Sequence, residues 1–371
     1  MATRSILLPL RIFGVRLRLD QSFLLVLPLF AYLIGSQLHA FVAQLASVGV
    51  PLDPSAFTGT RAYVLGSIAA IGLFSSVLVH EIGHALTARA YGIETKEIRL
   101  WFLGGVAQFE AIPRRRGVEA VIALAGPVTS AVLAAVLYGV MLLLPAASAA
   151  RVVLSYLCVT NLGLALFNLL PALPLDGGRI LRSILALYMP RLAATNLAVG
   201  VSGTVAIVLG VFALLGGQLY LALVAFFIYN AGRMESQATL ISEAVYGRTV
   251  ADLMTVNVAS VESGMALGQF SRLSEFRPLD TYPVVDAVGL LLGVARLEDA
   301  PAAMAAGSTV VDDVLRDALR IGPSEHVMTV LQRLTEGDTG RLYVVDGGGR
   351  LIGVLSTSDL LRHIREFAGL Q

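Results

Sequence analysis

Residues 62–90 read AYVLGSIAAIGLFSSVLVHEIGHALTARA, an apolar run that contains three ionisable side chains close together. A helix of about 20 apolar residues is long enough to cross the hydrocarbon core of a bilayer. Ionisable groups are costly inside a bilayer unless they face a polar partner or a cavity. His80, Glu81 and His84 therefore indicate a functional site within a membrane helix.

The spacing of these three residues indicates a metal site. Residues four apart share a face of a helix, so His80 and His84 can bind one Zn²⁺ while Glu81 reaches water on the metal. The alternative is that both histidines only form hydrogen bonds with neighbouring helices. That alternative gives Glu81 no role, and we therefore favour the metal site.

The rest of the chain divides into an apolar and a polar part. Of its 371 residues, 56% are hydrophobic and 14% are charged, against about a quarter charged in soluble domains. Charges become frequent from Met234 onward. We predict a membrane domain at 1–231, a linker helix at 232–248 and a soluble domain at 249–371. The apolar runs predict six spans, at 22–41, 62–90, 118–144, 152–170, 196–215 and 218–230.

The basic residues predict the orientation of these spans. Arginines and lysines concentrate before the first span, between the second and third, between the fourth and fifth, and after the sixth. The opposite loops contain only Arg61 and Arg151. Because basic loops stay in the cytoplasm, we expect a multi-pass protein of the cell membrane with both termini and the soluble domain cytoplasmic.

The net charge and the cysteine content exclude some classes of partner and some kinds of metal ligand. A net charge of +1 argues against a nucleic-acid partner. With Cys158 as the only cysteine, a thiolate zinc cluster is excluded, and a carboxylate is expected as the third ligand. Asp176 is the candidate, at the cytoplasmic end of the fourth span in the segment 168–179, NLLPALPLDGGR. An ordinary helix end with a solvated aspartate is the alternative for this segment.

Together, the motif at 80–84 and the segment 168–177 resemble the site-2 protease family of intramembrane zinc metalloproteases. Gly104-Gly105 after Trp101 and Ala125-Gly126-Pro127 are also similar to that family. The resemblance implies three zinc ligands, a general base and a residue near the substrate carbonyl. The implied zinc ligands are His80, His84 and Asp176. The implied general base is Glu81, and Asn168 is the residue implied to lie near the substrate carbonyl.

Residues 98–110 contain β-formers and glycines and are too short to span a membrane. They predict a membrane-associated hairpin or re-entrant strand, with an interfacial loop as the alternative. An exposed strand edge can pair with an extended substrate. We therefore expect Gly104 and Gly105 to contact substrate.

The soluble domain is an internal duplication. Residues 249–299 align with 309–359 without gaps, and eleven positions are identical. The repeats, at 249–300 and 309–367, resemble a tandem CBS (cystathionine β-synthase) module, which implies binding of ATP or another adenosine nucleotide. In the second repeat Ser356 and Asp359 match the ribose and phosphate signature, whereas the first repeat has Arg296 at the hydroxyl position. A structural or dimerising module without a nucleotide is the alternative.

The expected fold is a polytopic α-helical membrane protein with six spans and a short β-hairpin, followed by a cytosolic α/β tandem CBS module. The expected function is that of a zinc endopeptidase that cuts transmembrane or membrane-proximal segments of client proteins. Its expected partners are those clients, the lipid bilayer and a second copy bound through the CBS pair. A CBS-regulated transporter and an inactive membrane scaffold are the alternatives.

Overall fold

The computed structural model describes residues 5–47, 49–50, 57–101, 104–109, 115–145, 148–273, 279–336 and 340–369. The chain forms two compact units, Met1–Ser236 and Gln237–Gln371. The second unit begins within the predicted linker helix at 232–248.

The first unit is mainly helical. Five of its helices are long and apolar enough to cross a membrane, and they correspond to the first five predicted spans: α1 (Gln21–Ser47), α2 (Gly59–Ala90), α3 (Val118–Leu142), α4 (Ala149–Asn168) and α6 (Arg191–Gly216). A short helix, α5 (Asp176–Leu185), lies between α4 and α6.

The sixth predicted span, 218–230, is not confirmed. It lies within α7 (Leu219–Val245), which is not among the helices of sufficient apolar length in the described part of the chain. The reason is that the apolar part of α7 is short, and Asn230, Arg233 and Glu235 follow it within the same helix.

Small residues allow the membrane helices to approach closely. A Cβ atom added at Gly66 of α2 would lie 2.5 Å from the backbone nitrogen of Gly35 in α1. Buried alanines extend this contact, at Ala62, Ala69 and Ala70. Close backbone packing of this kind supplies the van der Waals contact that holds helices together in lipid.

A four-stranded sheet lies against α1 and α2. Its order is β1 (Ser5–Ile12), β2 (Val15–Asp20), β3 (Thr95–Trp101) and β4 (Gly104–Phe109). Strands β3 and β4 form the hairpin expected from the sequence, with Trp101 opposite Gly104 and Leu100 opposite Gly105. Strand β2 pairs with β3 in parallel, a pairing that the sequence did not predict.

The sheet has one apolar face. Alternate residues on β2 and β3 pack into a cluster with aromatic side chains of α1 and α2: Leu17, Ile98, Leu100, Phe23 and Phe74. Strand β4 lies at the end of the strand order and contacts α2 near Glu81. The sheet therefore brings an edge strand next to the H-E-x-x-H motif.

The second unit contains two three-stranded sheets, one from each repeat. The first is β5 (Val261–Glu262), β6 (Thr281–Val285) and β7 (Leu291–Arg296). The second is β8 (Arg320–Ile321), β9 (Arg341–Val345) and β10 (Leu351–Ser356). The helices in the described part of this unit include the end of α7 and α8 (Val250–Leu253), α9 (Leu267–Ser271), α10 (Ala300–Ala305), α11 (Val327–Glu336) and α12 (Thr357–Phe367).

The two repeats exchange their first segments. The backbone of Thr255, which precedes the first sheet, pairs with Val354 in β10 of the second sheet. Conversely, Arg316, which precedes the second sheet, pairs with Val294 in β7 of the first. Each core is completed by the other repeat's segment, because Val250 packs with the second sheet and Val311 with the first.

Candidate metal centre

Two helices bring three ligand atoms together in the first unit. His80 and His84 lie one turn apart on α2, and Asp176 is the first residue of α5. Asp176 Oδ2 lies 3.2 Å from His80 Nε2 and 3.3 Å from His84 Nε2. The two Nε2 atoms are 3.2 Å apart. All three side chains are buried, with 4–6% of their surface exposed.

Helix α3 orients both imidazole rings. His84 Nδ1 lies 2.7 Å from the carbonyl oxygen of Ile122, and His80 Nδ1 lies 2.9 Å from Ser130 Oγ. A carbonyl oxygen only accepts hydrogen bonds, so His84 donates from Nδ1 and, when neutral, has its lone pair on Nε2. Such a second hydrogen bond is what orients histidine ligands in metal sites.

The donor set and its spacing fit a zinc ion. Tetrahedral ligands about 2.0–2.1 Å from zinc lie about 3.4 Å from one another, close to the three separations found here. Two imidazole nitrogens and one carboxylate form a known catalytic zinc set with a position left for water or substrate.

Gly126 on α3 provides the space for this group. A Cβ atom at position 126 would lie 2.2 Å from His84 Nε2 and 2.6 Å from His80 Nε2. Any side chain there would occupy the volume between the two ligand atoms. In the sequence, Gly126 stands out only as part of a family resemblance, and nothing there predicts its role in the site.

The Asp176 carboxyl is held in its ionised form. Burial alone would raise its pKa, but hydrogen bonds with His80 and His84 and the positive charge of Arg179 outweigh burial and hold the pKa well below its usual range. An ionised carboxylate is the form that binds a metal.

Glu81 lies beside the edge strand. It follows His80 on α2 and is half-buried. A Cβ atom at Gly105 of β4 would lie 2.6 Å from Glu81 Cγ, so the absence of a side chain at position 105 lets the strand approach the glutamate. Gly104 lies one residue earlier, opposite Trp101 of β3.

Asn168 is the last residue of α4, and its side-chain amide donates to the carbonyl oxygen of Leu164 at 3.0 Å. Ser130 and the Ile122 carbonyl were not predicted as part of the site. The sequence does contain a signal for these residues, because positions 122, 126 and 130 are spaced every four residues on α3 and therefore share a helix face. The spacing does not show that this face lies against α2.

The nucleotide-site candidates lie in the second unit. Ser356 caps α12, and the Asp359 carboxylate accepts hydrogen bonds from the Ser356 hydroxyl at 2.6 Å and from the Thr255 hydroxyl at 2.7 Å. Arg296 ends β7 and pairs with Glu298 at 3.3 Å. Asp359 therefore joins the second repeat to the segment exchanged from the first.

Two protein-family profiles match this chain. The sequence profile of peptidase family M50 matches residues 68–151 and 145–212, and that of the CBS domain matches residues 311–366. A zinc metalloprotease of Methanocaldococcus jannaschii is 30% identical over 301 residues, which cover 81% of this chain and 85% of that protein. Rip3 of Mycobacterium tuberculosis, named as a candidate zinc metalloprotease, is 29% identical, with 95% of this chain and 91% of Rip3 covered.

Solved structures are similar in part. The site-2 protease of Methanocaldococcus jannaschii is 31% identical, covers 63% of this chain and 95% of its own, and has a TM-score of 0.43. CBSX2 in complex with AMP is 26% identical, covers 33% of this chain and 99% of its own, and has a TM-score of 0.31.

The chain belongs to the M50, or site-2 protease, family of zinc metalloproteases, and it carries a CBS domain.

Proposed function

We propose that this protein is an intramembrane zinc endopeptidase that cleaves transmembrane or membrane-proximal segments of client proteins. The observation that carries the proposal is the convergence of His80 Nε2, His84 Nε2 and Asp176 Oδ2, each within 3.2–3.3 Å of the others, within a helical unit that has five helices apolar enough to span a membrane.

His80, His84 and Asp176 would hold the metal, and Glu81 would serve as the general base. Zinc held by these three residues would polarise the scissile carbonyl and lower the pKa of the attacking water. Glu81 accepts a proton from the attacking water and passes it to the leaving amine, a role that needs a carboxylate within hydrogen-bond reach of the reacting atoms. Asn168, at the end of α4, is proposed to lie near the substrate carbonyl.

Strand β4 is the proposed substrate-binding element. It ends the strand order of its sheet, and Gly105 brings it against Glu81. An extended substrate that pairs with a strand edge presents its peptide bonds, which a helical substrate hides. Gly104 and Gly105 would thus set the substrate backbone beside the general base.

The proposed topology has both termini and the CBS module in the cytoplasm. It rests on the basic loops of the sequence. Asp176 follows the fourth span on the side of those basic loops, so cleavage is proposed to occur near the cytoplasmic face. The bilayer and a membrane-protein client are the partners that this arrangement requires.

Replacement of the general base tests the peptidase function. Membranes from cells that express Glu81→Gln should accumulate uncleaved client proteins relative to wild type, measured by quantitative proteomics. Glu94→Gln makes the same change at an exposed glutamate after α2 and should process clients normally. Purified wild type and Glu81→Gln should contain zinc, whereas His80→Ala should lack it.

Two results would reject the peptidase function. Wild-type protein without zinc, together with unchanged processing in Glu81→Gln, would favour an inactive scaffold. Ion flux in proteoliposomes that depends on Glu81, with no change in any client, would favour a transporter.

For the CBS module we propose regulation through binding of ATP or another adenosine nucleotide, or through dimerisation. The support for a nucleotide is the segment 353–359, with Ser356 and Asp359 at the start of α12, and Arg296 at the end of β7. Asp359→Ala should weaken the binding of ATP and AMP measured by calorimetry, and Asp299→Ala, at the equivalent position of the first repeat, is the matched comparison. An unchanged affinity for ATP and AMP in Asp359→Ala would show that the nucleotide does not bind at Asp359.

A further inference from the structure

A buried cluster of charges lies on the helix that carries Asp176. Arg182 of α5 is 3% exposed, and Glu119 of α3 is 9% exposed. Arg182 Nε donates to Glu119 Oε1 at 3.1 Å, and Arg182 Nη2 donates to the same oxygen. Arg182 Nη1 donates to Glu235 Oε1 of α7 at 2.5 Å, and Arg191 Nη2 of α6 donates to Glu119 Oε2 at 3.0 Å.

Helix α3 contacts every element that bears a ligand. It binds both imidazoles at Nδ1, through the Ile122 carbonyl and Ser130. It binds α5 through Glu119 and through the backbone amide of Ala120, which donates to Ser183 Oγ at 3.1 Å. The group of three ligand atoms contains none from α3. The common role of these contacts is to align ligands that belong to other helices.

Arg182 is well placed to set the position of Asp176. Helix α5 has ten residues and is about 15 Å long at 1.5 Å per residue, so it moves as one body. Asp176 is the first residue of α5. Near the opposite end of α5, Arg182 and Ser183 bind α3. A shift of this anchor would move the carboxylate relative to two imidazoles that α3 holds independently.

We propose that Arg182 is a positioning residue for the metal ligand Asp176, and that it acts through Glu119 on α3. The proposal rests on the proposed function, because it assumes that Asp176 binds the metal. A planar guanidinium with several donors can bind two carboxylates at once, which the ammonium group of lysine does not reproduce. Changes beyond the direct ligands of metal sites commonly weaken metal binding 10- to 100-fold.

The test is the zinc affinity of the full chain in detergent, measured by competition with a chromophoric chelator. Arg182→Lys and Glu119→Gln should each weaken zinc binding by about tenfold or more. Glu235→Gln makes the same change at the other carboxylate bound to Arg182 and leaves the contact with α3 in place. It should change zinc affinity by less than about threefold. Because Glu119→Gln keeps the shape of the side chain, the comparison stands even if Arg182→Lys does not fold.

Two further measurements separate positioning from general stability. The visible spectrum of the Co²⁺-loaded protein reports ligand geometry and should change in Arg182→Lys and Glu119→Gln only. Thermal unfolding of the metal-free proteins measures the contribution of each ion pair to stability. The proposal is overturned if zinc affinity and spectrum match wild type in Arg182→Lys and Glu119→Gln, or if Glu235→Gln loses zinc to the same extent. Because no substrate is needed, these results are independent of whether Glu81→Gln abolishes client cleavage.

Discussion

Two glycines determine how closely the elements of the metal centre approach one another. Gly126 faces the two imidazole Nε2 atoms, and Gly105 faces Glu81. In each case the missing side chain leaves a volume that the proposed chemistry requires: room for a metal ion in the first case and room for Glu81, the proposed general base, in the second.

Gly126→Ala should weaken zinc binding strongly. The added methyl group would lie 2.2 Å from His84 Nε2, so the ring must move or the ion is excluded, and we expect the zinc affinity to fall by about a hundredfold or more. Gly139→Ala is the matched control on the same helix, because a Cβ atom there meets nothing within 4 Å. Normal zinc content in Gly126→Ala would contradict the assigned position of the ion.

At the residue scale, the sequence predicted the groups that carry chemistry better than the groups that make room for them. His80, Glu81 and His84 could be found because a fixed spacing on a helix places them on neighbouring positions of one face. Asp176 needed a second motif and the order of the spans. Gly126 could not be identified from spacing alone, because its role depends on the distance between α2 and α3.

At the scale of elements, strand β4 packs against helix α2, and the contact of Gly105 with Glu81 joins the proposed substrate site to the proposed general base. Gly105→Ala would place a Cβ atom 2.6 Å from Glu81 Cγ and displace the glutamate. We expect kcat to fall by about tenfold, part of the 10²–10⁴-fold that a general base contributes, while zinc content stays normal. Gly163→Ala on α4, where nothing lies within 4 Å, should leave kcat unchanged. An unaltered kcat in Gly105→Ala would place Glu81 outside the reaction.

The elements that were not predicted correctly from the sequence depend on features that no local sequence pattern shows. Strands β1 and β2 contain several arginines, which we interpreted as topology signals, although the alternation in β2 is typical of a strand with one buried face. Strand β3, the parallel partner of β2, lies about 80 residues further along the chain, and no local pattern identifies such a pairing. For α7, the apolar run and the polar linker helix after it were both predicted, but not that the two form one continuous helix, Leu219–Val245.

At the scale of the whole molecule, the duplication was evident from sequence, but the exchange between repeats was not. Identity at equivalent positions shows that two segments are alike and does not show which sheet each one joins. The structure pairs Thr255 with β10 and Arg316 with β7. The two repeats therefore form one folding unit rather than two independent ones.

The exchanged segment of the second repeat should make this unit sensitive to acid. Hydrogen bonds from the Gly264 amide and the Ser263 hydroxyl lower the pKa of Asp312. Because its pKa is lower in the folded state, the stability it contributes is present above the usual carboxyl pKa and is lost as pH falls through the folded value. Asp312→Asn should increase amide hydrogen exchange in residues 261–300 at pH 7. The further increase in exchange on acidification should be smaller in this variant than in wild type. The exposed Asp317 provides the control Asp317→Asn, which should behave as wild type; equal behaviour of the two variants would contradict this role.

The separation of the ligands along the chain has a consequence for biosynthesis. His80 and Asp176 are 96 residues apart, and helices α3 and α4 lie between them. The ribosome must therefore synthesise four helices, α1 to α4, before it reaches Asp176, so the carboxylate joins the chain well after both imidazoles. The nascent chain holds at most two of the three ligands until that point, so the metal centre can be completed only after α1 to α4 have been synthesised.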